Sequence, residues 1–153
     1  MNYISRRKAT TLMLGGAFAF KTLKAPMVMA AGFDGKVFKS PTCGCCAVWV
    51  KLLRQDGIDL KITDLESLGM IKRMFRVPEQ LQSCHSAIIG GYVIEGHVPI
   101  KEIKRLLNEK PKAIGIAVPG MPIGSPGMEQ GNVKEPYDVV IFQNGKQSVY
   151  ARY

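Results

Sequence analysis

Along this chain, short apolar runs alternate with stretches whose apolar residues recur every three or four positions, the mark of strands and helices in turn. Lys36-Val37-Phe38 predicts a brief strand ending at Pro41. From Cys45 to Gln55, Val48, Trp49, Leu52 and Leu53 form one helical stripe, closed by Gly57 as a C-cap. Leu60-Lys61-Ile62-Thr63 alternates as a strand. Leu68, Ile71 and Phe75 repeat at i, i+3 and i+7, predicting a second helix to about Arg76, stopped by Pro78. Ala87-Ile88-Ile89 and Tyr92-Val93-Ile94 are strands joined by Gly90-Gly91, a two-residue hairpin turn. Ile100, Ile103, Leu106 and Leu107 then mark a third helix that ends before Pro111.

Residues 111–136 read differently. Four prolines fall between positions 119 and 136, glycines separate them, and no apolar period survives, which predicts a long irregular tract. Val139-Val140-Ile141-Phe142 and Ser148-Val149-Tyr150 flank Asn144-Gly145, a strong signal for a C-terminal hairpin. The order β-α-β-α-β-β-α is that of a thioredoxin-like α/β domain. It predicts a mixed β-sheet flanked by helices, extended by the C-terminal Gly/Pro-rich loop and β-hairpin.

Charge changes the picture mainly at the N-terminus. The 153 residues hold 21 Lys+Arg and 12 Asp+Glu, a formal +9. Five of those cations (Arg6, Arg7, Lys8, Lys21, Lys24) and no acid lie in residues 1–31, leaving +4 over the other 122 residues. A mildly basic domain gives no reason to invoke nucleic acid. In residues 1–31 the basic start, the apolar stretch Thr11–Phe20 and small residues around Ala30 have the grammar of an export signal. The apolar stretch is far short of the roughly 20 residues of a bilayer span. Ser5-Arg6-Arg7 and a weakly apolar core suggest the twin-arginine route. The expected organisation is an export signal over 1–31 and one thioredoxin-like domain over 32–153, with no stable membrane anchor after cleavage.

Export matters because it would place four cysteines in an oxidising compartment, where spare thiols pair unless something occupies them. Cys43, Cys45 and Cys46 crowd into four positions at the expected start of the first helix, where the dipole favours thiolates. Cys84 precedes the third strand, and the fold brings it to the same corner. Three chemistries compete for this set. A dithiol oxidoreductase would use Cys43 to attack and Cys46 to resolve, but two further thiols would scramble its intermediates. Its fold relatives also usually carry a proline where this chain reads Ser83-Cys84-His85-Ser86. Two structural disulfides would pair Cys43 with Cys46 and Cys45 with Cys84, or Cys43 with Cys45 and Cys46 with Cys84. For metal, one tetrahedral ion is awkward, since neighbouring side chains at a helix start diverge by about 100°. Thiolates bridging several soft ions suit the spacing better, and Cu(I), which takes two or three sulfur ligands, is the preferred ion.

Ser40-Pro41-Thr42-Cys43-Gly44-Cys45-Cys46, Ser83-Cys84-His85-Ser86-Ala87, Glu95-Gly96-His97-Val98-Pro99 and the tract Val118 to Glu129 resemble, in order, the bacterial CopG copper-resistance family of exported metal-binding proteins. Ser86, where the family pattern expects Thr, is the one small departure. The resemblance implies a thioredoxin-like fold, a periplasmic location and a thiolate-bridged multinuclear Cu(I) cluster on Cys43, Cys45, Cys46 and Cys84. It further implies a role in copper resistance, with interconversion of Cu(I) and Cu(II) by a copper oxidoreductase as one proposal. Copper ions are the implied partners, with periplasmic copper chaperones or efflux proteins exchanging them.

His85 adjoins Cys84 and is a candidate ligand, although neighbours in an extended segment point oppositely. Met121 and Met128 lie in the irregular tract, where thioethers suit exchangeable Cu(I), and the tract is placed to lie over the site as a lid. His97 is expected as a loop histidine bonded to backbone, carried away from the cysteines. Met70 and Met74, spaced i, i+4, are expected to pack in the core, as is Trp49. Lys72, Arg73 and Arg76 are expected on a solvated helix face.

Overall fold

The computed structural model describes residues 32–153; the expected export signal over 1–31 lies outside the described residues. Strand β1 (Phe33–Lys39) leads into helix α1 (Gly44–Gln55), strand β2 (Ile58–Asp64) and the short helix α2 (Gly69–Met74). A 3-10 turn (Glu79–Leu81) precedes the hairpin β3 (Ser86–Ile89) and β4 (Tyr92–Glu95), then helix α3 (Ile100–Glu109). Strands β5 (Gly115–Ala117), β6 (Asp138–Gln143) and β7 (Lys146–Arg152) complete the order. The seven strands form one mixed sheet, β2-β1-β3-β4-β5-β6-β7, parallel at β1/β2 and β4/β5 and antiparallel elsewhere.

The expected mixed sheet with flanking helices and a C-terminal hairpin is therefore the observed one. Both hairpins turn where two residues with positive φ stand together, Gly90-Gly91 and Asn144-Gly145. Two-residue primed turns require such angles. The core gathers Trp49, Val50 and Leu53 of α1 and Ile103, Leu106 and Leu107 of α3 against Val37, Leu60, Ile89, Ile94 and Ile116 of the sheet.

Three expectations need correction. The tract 111–136 is not irregular throughout, because β5 lies inside it, paired to both β4 and β6. Three residues are too few to show a period, and burial on both faces removes the alternation that would reveal a strand. Met70 and Met74 are exposed, at 68% and 65%. Leu68, Ile71 and Phe75 already fill the inward stripe of α2, and each methionine sits one residue, about 100°, off it. Lys72 is 6% exposed, so only its neighbours Arg73 and Arg76 keep the solvated face expected of all three.

Candidate metal centre

The turn Ser40-Pro41-Thr42 brings the chain from β1 to the start of α1, with the Cys43 amide donating to the Ser40 carbonyl at 3.2 Å. Cys43 occupies the N-cap with extended backbone and no side-chain cap, so the first-turn amides and the positive end of the dipole lie beside the sulfurs. Cys43 and Cys46 form a disulfide, while Cys45 and Cys84 are free thiols. Cys45 Sγ lies 3.4 Å from Cys43 Sγ, and Cys84 Sγ lies 3.5 Å from Cys46 Sγ. All four sulfurs fall within 4.8 Å of one another. The fold thus assembles the four cysteines that the sequence singles out, although three come from one helix start and one from across the sheet.

Cys84 reaches the corner because β1 pairs with β3, and the turn before β3 carries it beside the first turn of α1. Burial, reinforced by the neighbouring Cys45, pushes its thiol up to about 12, so in the metal-free protein it is protonated. Beside it stands His97, contrary to the expectation that the sheet carries this residue away. In the β3–β4 hairpin Ser86 faces Glu95, and the Gly96 amide donates to the His85 carbonyl at 2.9 Å. Two steps past that pair, Cys84 faces His97, and its Sγ lies 3.0 Å from His97 Nε2. The expected backbone bond exists too: His97 Nδ1 donates to the Pro126 carbonyl at 2.8 Å. That carbonyl can only accept, so the neutral ring carries its proton on Nδ1 and turns the Nε2 lone pair toward the sulfur. Burial keeps the ring neutral by lowering its pKa.

His85 is wholly buried beneath Trp49, with ring centroids 4.4 Å apart, and meets His97 edge-on at 5.0 Å. Its Nδ1 lies 3.4 Å from Cys84 Sγ, so the backbone supplies the turn that ligation would need. Burial, then the nearby His97 and Lys72, push its pKa well down. Its Nε2 has no hydrogen-bond partner among the described residues, an unmet polar group that normally calls for an explanation.

The Gly/Pro tract closes this side of the site. Gly120 bridges to Ser83, and Gly127 lies against the first turn of α1 with φ +88°. A Cβ on Gly127 would stand 2.9 Å from the Cys45 carbonyl oxygen and 3.1 Å from the Trp49 amide nitrogen, too close to either backbone. Met121 and Met128 directly follow these two anchor glycines; Met121 is 51% exposed and Met128 is half-buried. Gly127→Ala is expected to cost about 1–3 kcal/mol of unfolding free energy, as overpacked sites do. It should also shift the His97 imidazole resonances by displacing Pro126. Unchanged stability together with unchanged resonances would contradict this close approach.

Cys84, His85 and His97 form a second group of donors within the same 4.8 Å limit, sharing Cys84 with the cysteine set. Sulfur and imidazole without a carboxylate make a soft donor set, suited to copper and unsuited to magnesium or calcium. A surface cleft lined among others by Lys112, Phe142 and Lys146 includes none of these residues.

Comparison with known proteins agrees. Residues 81–128, from the 3-10 turn to the end of the tract's contact with α1, match the family model described as "Protein of unknown function, DUF411". No curated protein matches the chain. Two solved structures, titled as forms 1 and 2 of copper resistance protein CopG, are each 38% identical to it with a TM-score of 0.75. The alignments cover 79% and 80% of this chain and 98% of each relative. With that identity over nearly the whole length of its relatives, the chain belongs to the CopG copper-resistance family.

Proposed function

We propose that this protein binds several Cu(I) ions on the thiolates of Cys43, Cys45, Cys46 and Cys84 and so serves copper resistance. The carrying observation is the gathering of four sulfurs within 4.8 Å. Four thiolates that close repel one another, and each Cu⁺ bound neutralises one of them. Bridging coordination also suits sulfurs crowded onto one helix start better than a single tetrahedral ion does. His97 Nε2 and His85 are the nitrogen donors of the same site, and Met121 and Met128 supply weaker thioether donors from the lid. Copper ions are the cargo, and interconversion of Cu(I) and Cu(II), with one electron passing to or from an external redox partner, is the accompanying redox activity, since sulfur favours the lower state and imidazole accommodates the higher one. Residues 1–31 direct export, the domain works in the periplasm, and copper chaperones or efflux proteins there exchange metal with it. Among the described residues no helix is long and apolar enough to cross a membrane.

The Cys43–Cys46 disulfide withdraws two of the four sulfurs. Two electrons and two protons must restore both thiols before the full set can bind. Reduced, metal-free protein titrated anaerobically with Cu(I) against a tight competitor is expected to hold more than one copper per chain. After oxidation to the disulfide, the retained copper should fall to one ion or none. If the reduced protein binds no more than a simple dithiol, the cluster reading fails.

That disulfide also favours a second reading, a thiol-disulfide oxidoreductase using Cys43 and Cys46 alone. An enzyme of that kind would keep its turnover when Cys45 and Cys84 are both replaced by Ser. The copper reading predicts no such turnover, and loss of the cluster in the same variant.

A further inference from the structure

We propose that the buried Lys72–Glu95 ion pair is a positioning device, clamping the Ser83–Ser86 turn from both sides and so fixing where Cys84 and His85 present their ligand atoms. The inference rests on the copper-binding reading and adds the residues that hold one arm of that site. Glu95 ends β4 with no exposure, and Lys72 of α2 is 6% exposed. One carboxylate oxygen of Glu95 accepts both the Lys72 ammonium and the Ser83 backbone amide, the latter at 2.7 Å. The other accepts the Ser86 hydroxyl, which itself accepts from Lys72 Nζ at 3.2 Å. Every group the carboxylate holds, other than the ammonium, therefore belongs to one of the two residues that bracket Cys84-His85.

The turn needs such a clamp. Residues 83–85 lie outside the strands, so the Ser83 amide has no ladder partner, and a half-buried amide is best satisfied by an acceptor within the protein. No proline stiffens the segment. The Ser83 hydroxyl donates in turn to the Gly120 carbonyl, so the same serine ties the lid tract to the turn. Fold stability alone is a poor reason for the pair. Taking two charges out of water costs about as much as their attraction returns, and apolar residues of similar volume often serve as well or better. What an apolar pair cannot supply is an acceptor for Ser83 and Ser86.

Lys72→Met/Glu95→Leu removes both charges and both acceptors while filling the volume. Its unfolding midpoint should fall only modestly, since the relief of burying two charges offsets part of the cost of leaving the Ser83 amide and Ser86 hydroxyl without their acceptor. Cu(I) affinity against a competing chelator should fall about 10- to 100-fold, as when residues supporting a metal ligand are lost. In reduced, metal-free protein, iodoacetamide should alkylate Cys84 several times faster, with the Cys45 rate unchanged. Ser86→Ala should show the same effects in weaker form, and Ser86→Thr, which keeps the hydroxyl, should behave as wild type. These two single variants decide the matter if the double variant does not fold. Folded variants with wild-type Cu(I) affinity and wild-type Cys84 alkylation overturn the clamp. So does a loss of copper that only tracks a loss of stability while Cys84 alkylation stays constant. Failure of wild-type protein to bind Cu(I) would instead overturn the copper reading, leaving the clamp to be judged by alkylation, which requires no metal.

Discussion

Cys84→Ala is expected to reduce the Cu(I) retained by reduced protein from several ions per chain to about one, with affinity lower by more than the roughly 100-fold seen when only supporting residues are changed. Cys84 is the one sulfur that does not come from the start of α1, and it stands opposite that corner, 3.5 Å from Cys46 Sγ. It is also the cysteine shared with the histidine group. Removing it therefore uncouples the helix sulfurs from His85 and His97 in one step. The side chain is only partly buried and becomes a smaller apolar one, so the unfolding free energy should change by about 1 kcal/mol or less, a small shift on the usual scale of point mutations. Anaerobic titration against a competitor, with parallel urea unfolding, reads both quantities. An unchanged copper count would mean that the helix-start cysteines bind alone, contradicting the four-sulfur site.

The largest stability effect should come from Trp49→Ala, at about 3–5 kcal/mol by the scale of buried aromatic truncations. Against a total of about 5–15 kcal/mol for a domain of this size, that is a major fraction. Trp49 has no exposure and sits on the inward face of α1, where its indole N–H donates to the Val98 carbonyl at 3.0 Å. Truncation opens a cavity, strips that carbonyl of its partner and removes the ring covering His85. Because Val98 follows His97, the segment carrying the histidine loosens as well. Denaturant unfolding of the metal-free protein checks the magnitude, and a loss below about 1 kcal/mol would contradict this packing account. Trp49→Phe, which keeps a ring but no donor, should fall between the two.

What the sequence reading saw correctly was local in character. Gly90-Gly91 and Asn144-Gly145 mark their turns because few residues other than glycine and asparagine tolerate positive φ. The three helices announce themselves by stripes that any chain of those residues would bury. One further count along the predicted hairpin corrects the expectation for His97. With the turn at Gly90-Gly91, pairing outward through Ser86 and Glu95 sets Cys84 opposite His97, so the signal was present in the predicted hairpin. Lys72 was different. Its neighbours Arg73 and Arg76 make the stretch look uniformly solvated, and only Glu95, 23 residues away, makes burial of that one ammonium tolerable. Nothing local distinguishes the three cations. The methionines of α2 face outward against expectation because helical spacing identifies neighbours on a face without saying which face turns inward.

By itself, the sequence determined the order of elements apart from β5, the α/β class, and the crowding of three cysteines at the start of one helix. These follow from periodicity and from short-range backbone chemistry, which act over a few residues. Only the tertiary structure decided that His97 joins the four cysteines, that Cys43 pairs with Cys46, and that a buried lysine and glutamate hydrogen-bond to the turn carrying Cys84. The histidine and ion-pair contacts depend on which strands lie side by side and in what register. That arrangement is set by the summed packing of residues far apart in the chain, so no single segment encodes it.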